Sequence, residues 1–365
     1  MGRVRPNTQE EDDIMKDAQY LTTSACPGSR EFSDLMERSS EGLRRYHLVM
    51  TAWDLGLFDL TTALISHEAL AAKLGCHPQM TKMFCEALAE AGLLERSGRG
   101  YVNSMLARTY LDAASPYCMR ISMSNLKRNN ERWASLGNIL KNGPMVMERK
   151  DRFDDSWITG IAEWAETGSV REAMSEIAAR TDVMRWRRLL DLGGGHGLYS
   201  VAFTVLNPEL EAFVFDLPTV VPLAKKYIEL YAADRVGTIP GDFYKDDIGS
   251  GYDVIFSSFN QSGNDPSVLP MIFRALNPGG ELIIRRFRDN GKDEAMNTLD
   301  WNLITFEGKK IGSKRHTSDI VPGEEEYLRA LNENGFEVTS IVPAGEASIL
   351  IFAKRSTAPG AVIDG

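Results

Sequence analysis

LLDLGGGHGLYS, residues 189–200, is the stretch whose reading decides the fold. An apolar run ends at Asp191, then Gly193, Gly195 and Gly197 alternate before a stretch suited to a helix. Glycines let the backbone turn sharply and let a ligand approach the main chain without meeting a Cβ. The helix that follows points its amides and its positive dipole end at that ligand. The dinucleotide fingerprint G-x-G-x-x-G is not met, because Leu198 and Ser200 occupy the third positions. The spacing present is D-x-G-x-G-x-G.

Working outward, RRLLDL, EAFVFD, YDVIFSSF and GELIIRR are short apolar runs bounded by turn residues and separated by helical segments. That alternation predicts βαβ units and a mostly parallel sheet whose strands are buried on both faces. FEVTSIVPA and ASILIFAKR are separated only by a few residues around Gly345 and predict a closing antiparallel hairpin. Asp216 ends FVFD, which places a carboxylate at the tip of the second strand, next to Leu217, where it can accept hydrogen bonds from two ribose hydroxyls. Gly241-Asp242-Phe243 follows the third strand. There an aspartate can take an adenine amino group while the phenylalanine ring packs on the base. Ser257, near the end of YDVIFSSF, joins Asp191, Gly193 and Gly195 as a further candidate contact, and LNPGGELII supplies a helix end, a turn and a fifth strand.

Before this region the pattern is helical. YHLVMTAWDLGLFDL (46–60) carries apolar residues at helical spacing and breaks at Gly56. In SHEALAAKLG, Ser66 can cap a helix whose buried stripe is Ala69, Leu70 and Leu74. MTKMFCEALAEAGLLE gives a second amphipathic helix ending near Gly92, and the glycines of RSGRGYVNS suit a hairpin. Helix, turn, helix and hairpin in that order describe a winged helix. Its second helix offers Lys82 as the only basic residue beside Glu86 and Glu90, which favours an interaction or dimerisation module over entry into a DNA groove. Met123 and Trp157, in the Met- and aromatic-rich helices that come next, are either plain core or the lining of a pocket for a flat apolar ligand. The division expected is a flexible tail over 1–30, the winged helix over 31–117, connecting helices over 118–180, the Rossmann-like domain over 181–355 and a second tail over 356–365.

The bulk properties set limits. The 365 residues exceed one typical domain of about 100–200. With 43% hydrophobic and 25% charged residues the composition is that of an ordinary globular protein. A formal net charge of -10 argues against nucleic acid as the main partner. The four cysteines, Cys26, Cys76, Cys85 and Cys118, form no C-x-x-C pair, so reduced thiols are expected and no metal site. No run approaches a membrane span of about 18 apolar residues, and a cytoplasmic location is the default.

At these residues the chain resembles a known family, the S-adenosylmethionine (SAM)-dependent O-methyltransferases of the caffeate, hydroxyindole and bacterial polyketide type. The resemblance covers about residues 40 to 355 and rests on AWDLGLFD, the winged helix, LDLGGGHG, FDLP, GDFY and ALNPGGELII. It implies an α/β class I methyltransferase fold, a Rossmann-like and mostly parallel sheet with a C-terminal antiparallel hairpin, preceded by an α-helical winged-helix dimerisation domain. It also implies SAM as cofactor, a homodimer formed through the N-terminal domain, and Gly193, Asp216, Asp242 and Phe243 as cofactor contacts. Methyl transfer to a hydroxyl of a small aromatic or heteroaromatic molecule is the activity it implies. C-, N- or S-methylation of a related acceptor, and a SAM-binding winged-helix regulator without methyl transfer, are the alternatives.

One departure bears on mechanism. In the family a histidine after the fourth strand usually serves as general base for a phenolic acceptor. The corresponding stretch here is SSFNQSGNDP, with Ser262 or a neighbour in that place. Asn260 and Gln261 can orient an acceptor, but neither is a base near neutral pH. Three explanations stand. The acceptor ionises easily and needs only positioning; or His316, Asp265 or Asp300 supplies the base; or the protein binds SAM without ordinary methyl transfer. His316 in GSKRHTSD reads first as a solvated loop residue and only second as the base. Arg285, Arg286 and Arg288 of RRFR follow the fifth strand, where Arg286 can pair with an anionic acceptor or be a plain surface charge. Trp301 and Phe306 follow, either at positions where the family keeps substrate-lining residues or as the core of a lid.

Overall fold

The alternating apolar runs assemble into a seven-stranded sheet in a computed structural model that describes residues 28–147, 155–260, 263, 265–288, 294–306, 323–345 and 348–356. These residues form two compact units, one up to Ala107 and one from Arg108.

The first unit begins with helix α1 (Ser29–Asp54), which stops two residues short of Gly56, and the single turn α2 (Leu57–Leu60). Gly56 takes a left-handed φ of 65°, the conformation that turns the chain there. After β1 (Ile65–Ser66), Ser66 caps α3 (His67–Leu74) by accepting the Ala69 amide at 3.3 Å. The buried stripe differs from the expectation by one position. Leu70 and Ala71 are buried and Leu74 half-buried, whereas Ala69 is exposed. Positions 70, 71 and 74 lie one and four residues apart on a single helical face, and Ala69, in the capped first turn, falls outside it. Helix α4 (Pro78–Glu90) follows, then β2 (Leu94–Ser97) and β3 (Gly100–Asn103), with β3 between β2 and β1 in a three-stranded antiparallel sheet. The buried Asn103 amide donates to Phe58 O at 2.7 Å and ties this hairpin back to α2.

The boundary between the units falls within α5 (Met105–Tyr110), and the second unit continues through α6 (Arg120–Ala134), α7 (Leu136–Asn142), β4 (Met145–Met147), α8 (Asp155–Trp164) and α9 (Val170–Ala178) to the sheet. Its strands and helices run β5 (Arg188–Leu192), α10 (Leu198–Leu206), β6 (Glu211–Asp216), α11 (Val221–Leu230), β7 (Val236–Pro240), β8 (Tyr252–Ser258), α12 (Leu269–Ala275) and β9 (Leu276–Phe287). The chain closes with α13 (Glu294–Trp301), β10 (Ile304–Phe306), α14 (Glu324–Glu333), β11 (Phe336–Pro343) and β12 (Ser348–Arg355). The strand order is β11-β12-β9-β8-β5-β6-β7, and β4 pairs separately with β10. Strands β7, β6, β5, β8 and β9 run parallel to one another, while β12 is antiparallel to both β9 and β11, as the hairpin reading required.

Side chains with period two feed two cores. Leu190, Leu282, Ile284, Ile349 and Ile351 pack with α12 and α14 on one face, while Leu189, Ile283, Leu350 and Phe352 pack with α9 and α10 on the other. This double burial accounts for the near-continuous apolar runs. Arg285 and Arg286 depart from their expected place on a loop. Strand β9 extends through Phe287 because β12 pairs with it as far as Ser348, and both arginines lie buried within the strand. Among the described residues no helix is long and apolar enough to cross a membrane.

The chain runs from β5 outward to β6 and β7, then crosses to the other side of β5 to make β8. Such a reversal opens a crevice at the carboxyl ends of the two strands, where ligands bind in open α/β sheets.

Candidate functional site

At that crevice Gly193, Gly195 and Gly197 carry φ values of 70°, 56° and 73°, a region costly for any residue with a Cβ. Gly197 is the N-cap of α10, so the loop delivers the chain to a helix start. A Cβ on Gly195 would meet only Ile158 Cγ2, at 4.0 Å, and this bare backbone therefore borders open space. Gly194 answers a different need, since a Cβ there would lie 2.6 Å from Asp191 Cγ.

Asp216 sits at the tip of β6 as expected. Its Oδ2 accepts the Gly195 amide at 2.8 Å and its Oδ1 accepts the Leu217 amide at 2.7 Å. Burial pushes its carboxyl upward while those two amides oppose the shift. Each oxygen accepts one amide, and a carboxylate oxygen can accept a second donor, such as a sugar hydroxyl. Leu217 packs at the edge of an apolar cluster with Ile158, Leu198, Val220 and Leu223, and Trp157 packs against the same cluster.

Asp191 lies beneath the loop with 1% of its surface exposed. Its Oδ2 accepts the Ser200 hydroxyl at 3.0 Å, and its Oδ1 has no hydrogen-bond partner. Burial raises this carboxyl to about 7, helped by the charge of Asp216 and opposed by Ser200. His196, inside the same loop, was not singled out from the sequence. It is buried, its Nδ1 accepts the Leu198 amide at 3.0 Å, and burial lowers it to about 4, so the ring is neutral at physiological pH.

Asn260 has a different setting from the one its proposed catalytic place suggested. Its Nδ2 donates to Leu192 O at 2.6 Å and to Gly193 O at 3.2 Å, while its Oδ1 accepts the buried Ser257 hydroxyl at 3.1 Å. The pair thus ties the end of β8 to the glycine loop, and a Cβ on Gly193 would run into the Asn260 amide. Asp242 stands after β7 as expected, but its carboxylate is engaged by Lys245 Nζ at 2.8 Å and by the Tyr244 amide at 3.1 Å. Phe243 is half-buried, with its ring 4.7 Å from that of Tyr244.

Among the described residues, the remaining candidates stand on separate elements. Met123 is half-buried on α6, which is joined to α8 by the Ser122 hydroxyl on Gly160 O and the Asn125 amide on Ser156 O. Trp301 ends α13, whose preceding residue Asp300 accepts Trp133 Nε1 at 2.5 Å and Asn129 Nδ2 at 3.3 Å. Asp265 caps a short turn by accepting the Ser267 amide and also accepts the Tyr244 hydroxyl. The Arg286 guanidinium lies 5.0 Å from the centre of the Tyr327 ring, on α14. Gln261, Ser262 and His316 lie outside the described residues, and so does the side chain of Phe306.

The donors and acceptors present fit the cofactor that the resemblance implies. Bare backbone faces open space at Gly195, an acidic strand tip stands next to it, and a helix starts at Gly197. A nucleoside with an attached amino acid meets matching chemistry in such a cradle.

Comparison with known proteins agrees with that fit. The model of the O-methyltransferase domain matches residues 147–336, and that of the O-methyltransferase dimerisation domain matches residues 38–113. An uncharacterised protein of Methanocaldococcus jannaschii is 33% identical over 83% of this chain and 84% of its own length. The acetylserotonin O-methyltransferase of Bos taurus is 25% identical over 85% of this chain and 97% of its own. The N,N-dimethyltransferase OxyT of Streptomyces rimosus is 27% identical over 79% and 86%. Among solved structures, an O-methyltransferase family protein from Burkholderia thailandensis superposes with a TM-score of 0.73 at 22% identity, covering 90% of this chain and 98% of that one, which speaks to the fold.

Proposed function

The chain belongs to the O-methyltransferase family, and on that premise we propose that it transfers a methyl group from SAM to a hydroxyl of a small planar aromatic or heteroaromatic molecule. It is a SAM-dependent methyltransferase, and SAM is its cofactor. The observation that carries the reading is the Asp216 carboxylate held against the Gly195 amide at 2.8 Å, at the mouth of the parallel sheet.

When bound, SAM supplies a methyl group on a sulfonium, an electrophile that reacts by in-line displacement. In this reading Asp216 accepts the ribose hydroxyls, the bare backbone at Gly195 lies against the amino-acid end, and Asp242 and Phe243 take the adenine. Asp242 would then give up part of its pairing with Lys245 for the adenine amino group. Asn260, with Ser257 behind it, holds the glycine loop in register with β8 instead of touching the acceptor. Alignment of two bound reactants is itself worth several orders of magnitude in rate, so an acceptor that ionises near neutral pH needs only positioning. That suits a chain with no histidine in SSFNQSGNDP.

We further propose a homodimer through the first unit, which adopts a winged-helix arrangement. The dimerisation-domain match supports this, as does α1, whose Phe32, Leu35, Met36 and Leu43 recur at helical spacing and are all more than half exposed. Transfer to nitrogen is the second reading, favoured by the relative named as an N,N-dimethyltransferase.

The test is release of S-adenosylhomocysteine (SAH) when SAM is incubated with the protein and a panel of hydroxylated and amino-substituted naphthalenes and quinolines. Product with a hydroxylated member supports O-transfer. Product only with amino members moves the reading to nitrogen, and no SAH with any member overturns it.

A further inference from the structure

We propose that Phe259 and Phe287 form a stacking shelf that selects a planar, electron-rich aromatic acceptor, an inference that rests on the methyl-transfer reading and deepens it. The two residues stand at the carboxyl ends of neighbouring parallel strands, Phe259 just past β8 and Phe287 at the end of β9. Their rings lie 4.5 Å apart between centres and 33° from parallel. Both remain open to solvent, at 37% and 45% exposure, although large aromatic side chains at strand ends are usually covered. Phe259 is the next residue to Asn260, whose amide holds the Gly193 carbonyl. The pair stands on the same carboxyl edge of the sheet as the glycine loop after β5.

The backbone holds Phe259 in place against its own preference. Its φ of 53° is one of two positive values among the described non-glycine residues. For a bulky side chain that conformation persists where surrounding contacts over-determine it. One such contact is visible, since the Phe259 amide donates to Arg285 O at 2.9 Å.

Behind the rings stands a cation that is itself locked. The Arg285 guanidinium lies over the Phe259 ring, 4.9 Å from its centre, and is only 3% exposed. It donates to Tyr199 Oη at 2.6 Å, to Ser169 O at 2.9 Å, to Ser169 Oγ at 2.8 Å and to Ser348 Oγ at 3.1 Å. Arg285 and Phe287 are two residues apart on one strand and so project from the same face. A guanidinium over an aromatic ring draws π density toward itself. A stack backed in this way attracts a ring rich in electrons, such as a phenol or phenolate, more than a saturated alcohol of the same size.

The test uses the full-length protein, with and without SAH, and two probes of one skeleton: 2-naphthol, which is planar, and decahydro-2-naphthol, which is not. The expected result is a clear preference for 2-naphthol that falls about 3- to 10-fold in Phe287→Leu and Phe259→Leu. SAH affinity should be unchanged in Phe287→Leu, and Phe259→Tyr, which keeps the ring, should bind 2-naphthol as the parent does. Equal affinity of the parent for the two probes, or undiminished 2-naphthol binding in both leucine variants, overturns the shelf. Failure of SAH to bind the parent overturns the cofactor reading instead, and the naphthol titration without SAH still decides the shelf.

Discussion

Asp216 Oδ2 accepts the Gly195 amide at 2.8 Å, so the tip of β6 and the loop after β5 are joined through one carboxylate across 21 residues of chain. The contact fixes the loop and leaves lone pairs on both oxygens for a ligand. Asp216→Ala is expected to weaken SAH binding at least about tenfold, since a hydrogen bond to a charged group contributes roughly 1.5–3 kcal/mol. Asp216→Asn should fall between the two. Calorimetry with SAH measures this, and circular dichroism shows whether the fold is kept.

The loop glycines separate folding from binding. Gly194→Ala pushes a methyl within 2.6 Å of Asp191 Cγ and should destabilise the protein by about 1–3 kcal/mol, read from urea unfolding. Gly195→Ala meets little but Ile158 and pays mainly for its φ of 56°, roughly 1–2 kcal/mol. Its methyl enters the cradle, so its SAH affinity should fall by more than that of Gly194→Ala.

Two buried groups, Asp191 at the end of β5 and His196 in the loop after it, give pH dependences of opposite sign. Asp191 is raised from 3.8 to about 7, so the folded chain keeps its proton more firmly than the unfolded chain. Stability therefore falls as pH rises through the interval from about 4 to 7. His196 is lowered from 6.5 to about 4, so the unfolded chain is the better proton acceptor, and stability rises between about pH 4 and 6.5. The two slopes offset one another in the ligand-free parent. Asp191→Asn should leave stability rising with pH over that window, and His196→Gln should leave it falling. Urea midpoints at pH 4.5, 5.5 and 6.5 distinguish these outcomes.

Asn260 is the contact by which β8 reaches the glycine loop. Asn260→Asp replaces a donor to Leu192 O and Gly193 O by an acceptor, setting oxygens against carbonyls, and should weaken SAH binding more than Asn260→Ala. An unchanged SAH affinity in both variants would show that the loop holds its shape without this tie.

The residues show why some of this was legible in sequence and some was not. The sheet was legible because strands buried on both faces write uninterrupted apolar runs, and the glycine loop because positive φ values demand glycine at alternating positions. Asp216 followed from its place at a strand end. The tie made by Asn260 was not legible, since it spans 68 residues of chain and depends on the crossing from β7 to β8. Arg285 and Arg286 misled because charges usually mark the end of a strand. Here β12 pairs alongside them, and a hydroxyl network and the Tyr327 ring receive the two guanidinium groups. The left-handed backbone of Phe259 leaves no mark in the sequence, because phenylalanine carries no preference for it. In the stripe of α3, Leu70 and Leu74 keep their expected side while Ala71 takes the buried place expected of Ala69, a small rotation that a helix of eight residues specifies poorly.

The most direct measurement is a pair of calorimetric titrations of the purified protein, one with SAH and one with NAD. Saturable binding of SAH is expected, at least about tenfold weaker in Asp216→Ala, with no heat from NAD. Tight uptake of NAD with no response to SAH would contradict it.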